Sequence, residues 1–147
     1  DVMQESMKVA KTLAWNLLDD NVRHNLIQNY SKQGIHIHCP EAAVKKDGPS
    51  AGVAITIAIL SILSNKAVRN TIAITGEIDL AGNVLPIGGL ETKLYGAKRA
   101  GVALVLYPYA NESIMNVIKE KHPTLINDDF KVQSIKHIND AVEISFV

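Results

Sequence analysis

The chain has 147 residues, the length of one domain and enough to bury a core of its own. Apolar residues make up 47% and charged residues 20%, with Lys plus Arg and Asp plus Glu at 15 each, so the basic footprint of a nucleic-acid binder is lacking. A single cysteine, Cys39, excludes an internal disulfide and fits a reducing compartment, and the longest apolar run, 53–63, is too short to cross a bilayer.

From the N-terminus, Met3, Met7, Ala10, Ala14 and Leu17 recur at helical spacing, which predicts a helix over 2–18 with Trp15 as a core anchor beside the stripe. Residues 19–34 are polar, with Leu26, Ile27 and Tyr30 to support a short helix. Residues 35–39 alternate as a strand does, placing His36 and His38 on one face, and Pro40 ends the run. After Lys46-Asp47-Gly48-Pro49-Ser50-Ala51-Gly52 comes an apolar helix to about Ser64, with a turn at Asn65-Lys66. The β-branched stretch 71–75 reads as a buried strand, and 78–86 as a hairpin across Ala81-Gly82-Asn83.

Gly88-Gly89 opens a helix to about Ala100, with Gly101 as its C′ residue. A strand over 102–107 stops at Pro108, Asn111 is placed to cap a helix over 112–121, 131–135 is a strand, and Asn139 is placed to cap a short helix over 140–144. Alternating helices and strands with hairpin-like pairs predict an α/β or α+β fold, helices packed on a mixed sheet, in one domain over 1–147. No signal-peptide pattern is visible, and the chain opens on Asp1 rather than methionine, the mark of a piece of something longer.

Ser50 stands between a Gly-Pro turn and a helix start, where unpaired N–H groups and the helix dipole favour an anion. Two readings stand open: a helix N-cap, the common use of serine there, and a nucleophile. A nucleophile needs a base, from one of five histidines or from a lysine whose pKa is depressed. Lys93 lies about one turn into the helix after Gly88-Gly89, among apolar Leu90, Leu94 and Ala97; its ordinary reading is an exposed helical lysine. His36-x-His38 is a fragment of a metal site at most, with no companion ligand evident. From Gly82 to Gly88 the glycine spacing approaches a phosphate-binding loop, but Gly89 and Leu90 follow where Lys and Ser or Thr are required.

Three segments in order, Ile35-His36-Ile37-His38 to Ser50-Ala51-Gly52, Thr75-Gly76-Glu77-Ile78, and Val84-Leu85-Pro86-Ile87-Gly88-Gly89-Leu90 through Lys93, resemble the proteolytic domain of Lon, the ATP-dependent serine protease. The opening Asp1-Val2-Met3-Gln4-Glu5-Ser6 resembles that family's D-V-M-K-E-S. The resemblance implies a Lon-type α/β domain with Ser50 as nucleophile and Lys93 as general base. It further implies Thr75 beside the lysine, Glu77 as the acid of T-G-E, and His36, His38 and Asp47 as polar residues lining or supporting the site. Lys45 and Glu91 depart from it, standing where the family usually has proline and a basic residue.

The resemblance also implies upstream strands and an ATPase module missing from these residues, so that the domain itself takes no cofactor or metal while ATP and Mg serve the rest of the protein. Partners implied are unfolded or damaged proteins and other copies of the chain, in a hexamer, with no membrane or nucleic acid. The compartment implied is the cytoplasm in bacteria and the mitochondrial matrix in eukaryotes. A non-catalytic assembly or binding module of the same fold, and a metal-dependent hydrolase using His36 and His38, are the alternatives.

Overall fold

The computed structural model describes residues 1–40 and 48–147. In chain order the elements are α1 (Val2–Leu17), α2 (Asp20–Tyr30), α3 (Gly52–Ser64), β1 (Ile72–Ile74), β2 (Glu77–Ile78), β3 (Val84–Leu85), α4 (Leu90–Arg99), β4 (Leu104–Pro108), α5 (Glu112–Lys121), β5 (Lys131–Ile135) and α6 (Ile138–Ser145). A 3-10 turn, Tyr109–Asn111, joins β4 to α5.

Strands β1, β4 and β5 pair in that order, all parallel, with Ile72 opposite Leu104 and Leu104 opposite Lys131. Parallel neighbours need crossovers, and α4 and α5 supply them. Alternation along β4 divides its side chains between two cores. Val105 and Tyr107 face Leu90 and Leu94 of α4 and Met115 and Ile118 of α5. Leu106 points the other way, into a cluster with Leu13, Val53, Ile57, Ile135 and Ile138. On that side α3 is covered twice: Val53 and Ile57 pack toward the sheet, Ile59 and Leu60 toward Ala10 and Ala14 of α1. A helix enclosed on both sides must be apolar nearly all round, hence the run that dominates the sequence.

The expected α/β class holds, but the parallel and antiparallel pairings fall in two sheets. β2 and β3 form a separate antiparallel hairpin, Glu77 opposite Leu85 and Ile78 opposite Val84. α4 ends as expected, Gly101 at φ 81° passing its N–H to Lys98 and the Val102 N–H to Ala97, which satisfies two terminal carbonyls.

Three local expectations change. The 35–39 run keeps its alternation in burial, Ile35 and Ile37 packing on the α1–α3 cluster with His36 and His38 exposed, but no strand among the described residues pairs with it. Asn139 does not cap α6. His137 does, its Nδ1 accepting from the Asn139 N–H, while Asp140 Oδ2 accepts the His137 N–H at 3.0 Å. Asn111 holds the cap position of α5 without bonding that helix through its side chain, which is engaged elsewhere.

Candidate active site

Three stretches of chain meet where β1 ends. The first is the turn at Ser50, closed by the Gly52 N–H on the Pro49 carbonyl at 3.1 Å. The second is Thr75-Gly76, one step past β1. They are stitched together in both directions: the Gly76 N–H donates to the Ser50 carbonyl at 2.8 Å, and the Val53 N–H to the Gly76 carbonyl at 3.1 Å. The close approach explains the two glycines. A Cβ on Gly76 would stand 2.8 Å from Val53 Cγ2 and 2.9 Å from Val84 Cγ1, and one on Gly52 would stand 2.8 Å from Ile78 Cγ2. The third stretch is the start of α4, where Gly89 at φ 70° is the N-cap and the Lys93 N–H closes the first turn on its carbonyl.

Lys93 Nζ lies 2.9 Å from Ser50 Oγ and 3.3 Å from Thr75 Oγ1. Residues 43 positions apart in the chain are thus within one hydrogen bond. Ser50 caps nothing: the N-cap of α3 is Ala51, with no side-chain bond. Lys93 is half-buried against β1 and β4, and burial holds its pKa below the usual lysine value, because water that would solvate an ammonium is excluded. Thr75 is buried, its N–H on the Leu106 carbonyl and its hydroxyl 3.4 Å from the Ser50 carbonyl.

Beside the pair is a cavity of about 240 Å³, lined by Ser50, Thr75, Lys93, Ala73, Ala97 and Val105 among others. Ala73 on β1 and Ala97 one turn beyond Lys93 leave this space because neither has more than a methyl group. The N–H groups of Ser50 and Ala51 find no acceptor among the described residues. A tetrahedral oxyanion on a carbon bonded to Ser50 Oγ would form beside those donors.

Of the other residues expected at the site, Glu77, His36 and His38 show no hydrogen bond to the pair among the described residues. Glu77 opens β2 half-buried, and none of its side-chain contacts among the described residues reaches Ser50 or Lys93. His36 and His38 stand edge to face with ring centres 6.4 Å apart, and His36 lines a different, larger groove with Trp15 and Tyr30. Among the described residues no three His, Cys, Asp or Glu side chains cluster as a metal site would require. Asp47 and Lys45 lie outside the described residues. Glu91 takes the side chains of Lys121, the last residue of α5, and His122, just beyond it, as partners, and the His122 bond, ahead of the lysine's charge, holds its carboxyl below the usual range.

Sequence reasoning passed over two residues that hold this arrangement. Ser6 of α1 is buried, with its hydroxyl 3.4 Å from the Pro49 carbonyl beneath the serine turn. Asn111, 1% exposed, grips the backbone of Ile87 just before α4. Its helix-start position drew it toward the capping reading and hid the other use.

A serine and a desolvated lysine are thus in contact, beside N–H donors with no acceptor among the described residues. The family model described as the Lon protease (S16) C-terminal proteolytic domain matches residues 1–147. The chain belongs to the Lon proteolytic-domain family. It is 42% identical over 145 residues to a Lon protease of Fervidobacterium nodosum, covering 99% of this chain and 17% of that protein. It is 40% identical over 146 residues to a Lon protease of Elusimicrobium minutum, covering 99% of this chain and 16% of that one. Against the mitochondrial Lon protease homolog of Drosophila melanogaster it is 40% identical over 146 residues, 99% of this chain and 14% of the relative. The chain therefore spans about a sixth of the length of these curated Lon relatives.

Proposed function

We propose that this Lon-family domain hydrolyses peptide bonds through a Ser50–Lys93 dyad. The observation that carries the reading is the 2.9 Å contact between Ser50 Oγ and a Lys93 Nζ that burial biases toward the neutral amine. Neutral Lys93 takes the Ser50 proton as Oγ attacks the scissile carbonyl. The oxyanion is received by the backbone donors at Ser50 and Ala51. Lys93, now an ammonium, returns the proton to the leaving amine, and an acyl-serine remains. Water attacks that ester with Lys93 again as base, and Ser50 is regenerated. Thr75, 3.3 Å from Nζ, fixes the direction of the amine.

Residues 1–147 act in this reading as the single proteolytic unit of a longer protein. An ATPase module using ATP and Mg belongs to the rest of that protein in this reading; the length of the Lon relatives supports a longer protein. Substrates are unfolded or damaged proteins, and the assembly is a ring, a hexamer, as expected of the family. The compartment in this reading is a bacterial cytoplasm or a mitochondrial matrix, as in the family's bacterial and mitochondrial members. Glu77, His36, His38 and Asp47 are assigned to lining or supporting the site.

A fluorophosphonate, which reacts with activated serines, tests the assignment. Peptide mass spectrometry locates the adduct on Ser50, and the adduct is lost in Lys93→Ala. Labelling of another residue, or undiminished labelling without Lys93, overturns it.

A further inference from the structure

Lys93 must be delivered to Ser50 by the segment that launches α4, and that segment is weakly held by its own side chains. Gly88 and Gly89 are exposed, and around the position of an added Cβ on either one nothing lies within 4 Å. The last anchored residue before them is Ile87, buried among Leu90 and Leu94. Both backbone polar groups of Ile87 are taken by one side chain: Asn111 Oδ1 accepts the Ile87 N–H at 2.9 Å, and Asn111 Nδ2 donates to the Ile87 carbonyl at 2.9 Å. Asn111 follows β4, whose Leu106 carbonyl accepts the Thr75 N–H and whose Val105 lines the cavity under Lys93. One amide thus ties the entrance of α4 to the turn that follows β4, the strand against which Thr75 and the cavity are set.

We propose that Asn111 is a positioning residue for Lys93: its two-point bond to Ile87 fixes the start of α4 so that Nζ reaches Ser50 Oγ. This rests on the Ser–Lys reading. Only a side chain with a donor and an acceptor side by side fits a residue whose N–H and carbonyl are both buried. Alanine leaves both of them without a side-chain partner. Aspartate depends on its proton: as the neutral acid it keeps donor and acceptor in nearly the shape of the amide, and as the anion it faces the Ile87 carbonyl with no donor.

The test uses the complete protein with an unfolded protein substrate, and Asn111→Ala, Asn111→Asp and Lys93→Ala beside the parent, with folding followed by circular dichroism. Asn111→Ala is expected to lower kcat at least tenfold with KM changed less than about twofold. It is also expected to move the acid limb of the kcat–pH profile to higher pH, as Lys93 loses its desolvated setting. A merely structural role would lower the folded fraction and leave that limb in place. If Asn111→Ala does not fold, Asn111→Asp carries the test. Its activity relative to the parent at the same pH is expected to recover as pH falls through its own carboxyl titration. Folded Asn111→Ala with kcat within twofold and an unmoved limb, or Asn111→Asp at a constant ratio to the parent across pH, overturns the proposal while loss of activity in Lys93→Ala leaves the dyad standing. Full activity in Lys93→Ala overturns both.

Discussion

Lys93 carries the account at the scale of single residues. A lysine in contact with a serine does nothing as an ammonium, so burial has to work against its ordinary state. The sign of the pH dependence follows. In the proposed Ser–Lys mechanism the unprotonated amine is the base, so kcat/KM is expected to rise with pH through a midpoint below that of a solvated lysine. Ala97→Asp would place a carboxylate beside the cavity, favour the ammonium, and move the rising limb to higher pH, which a pH–rate profile reads directly. The same burial implies a conflict between function and stability. Lys93→Met exchanges a desolvated amine for an apolar side chain of similar length. It should abolish cleavage and stabilise the domain by about 1 kcal/mol, read as an upward shift in thermal midpoint. At this scale the sequence was informative where a motif names a residue, as for Ser50, Lys93 and Thr75. It does not reveal the bonds of Ser6 and Asn111, because a buried hydrogen bond to distant backbone leaves no local pattern.

Among the elements, those with a strong period were legible and those held by distant partners were not. The α1 stripe, the apolar α3 and the β-branched β1 announce themselves because their side chains meet a core on a regular spacing. Helix α2 buries no residue and touches the core through half-buried Val22 and Leu26, so its periodicity is faint. The 35–39 run has a strand's alternation, but a strand also needs a neighbour, and alternation says nothing of neighbours. His137 took the cap that Asn139 was expected to supply because its ring nitrogen reaches the Asn139 N–H while Asp140 bonds back. The contact between the α3 entry and β1 depends on Gly76. Gly76→Ala would force a methyl group between Val53 and Val84 and should cost about 2 kcal/mol, measured as a lower urea midpoint. Because Gly76 also bonds the Ser50 carbonyl, activity of the remaining folded protein should fall as well.

Over the whole molecule, the site is a product of layering. The sheet separates a core under α4 and α5 from a core under α3 and α6, and the serine arrives from one side while the lysine arrives from the other. Each core can therefore be weakened separately. Phe130, 2% exposed, fills the α4–α5 side, and Phe130→Ala should destabilise by about 4 kcal/mol in denaturant titration. Neither periodicity nor spacing told which side each helix takes, since that depends on crossovers between strands distant in sequence. The family resemblance supplied the pairing of Ser50 with Lys93, and the fold supplies its physical reason. The most direct measurement is degradation of casein by the complete protein with ATP, comparing Ser50→Ala and Lys93→Ala with the parent at matched assembly and folding. The dyad predicts that both variants lose cleavage by at least about a thousandfold. A folded, assembled Ser50→Ala protein that still degrades casein would contradict it.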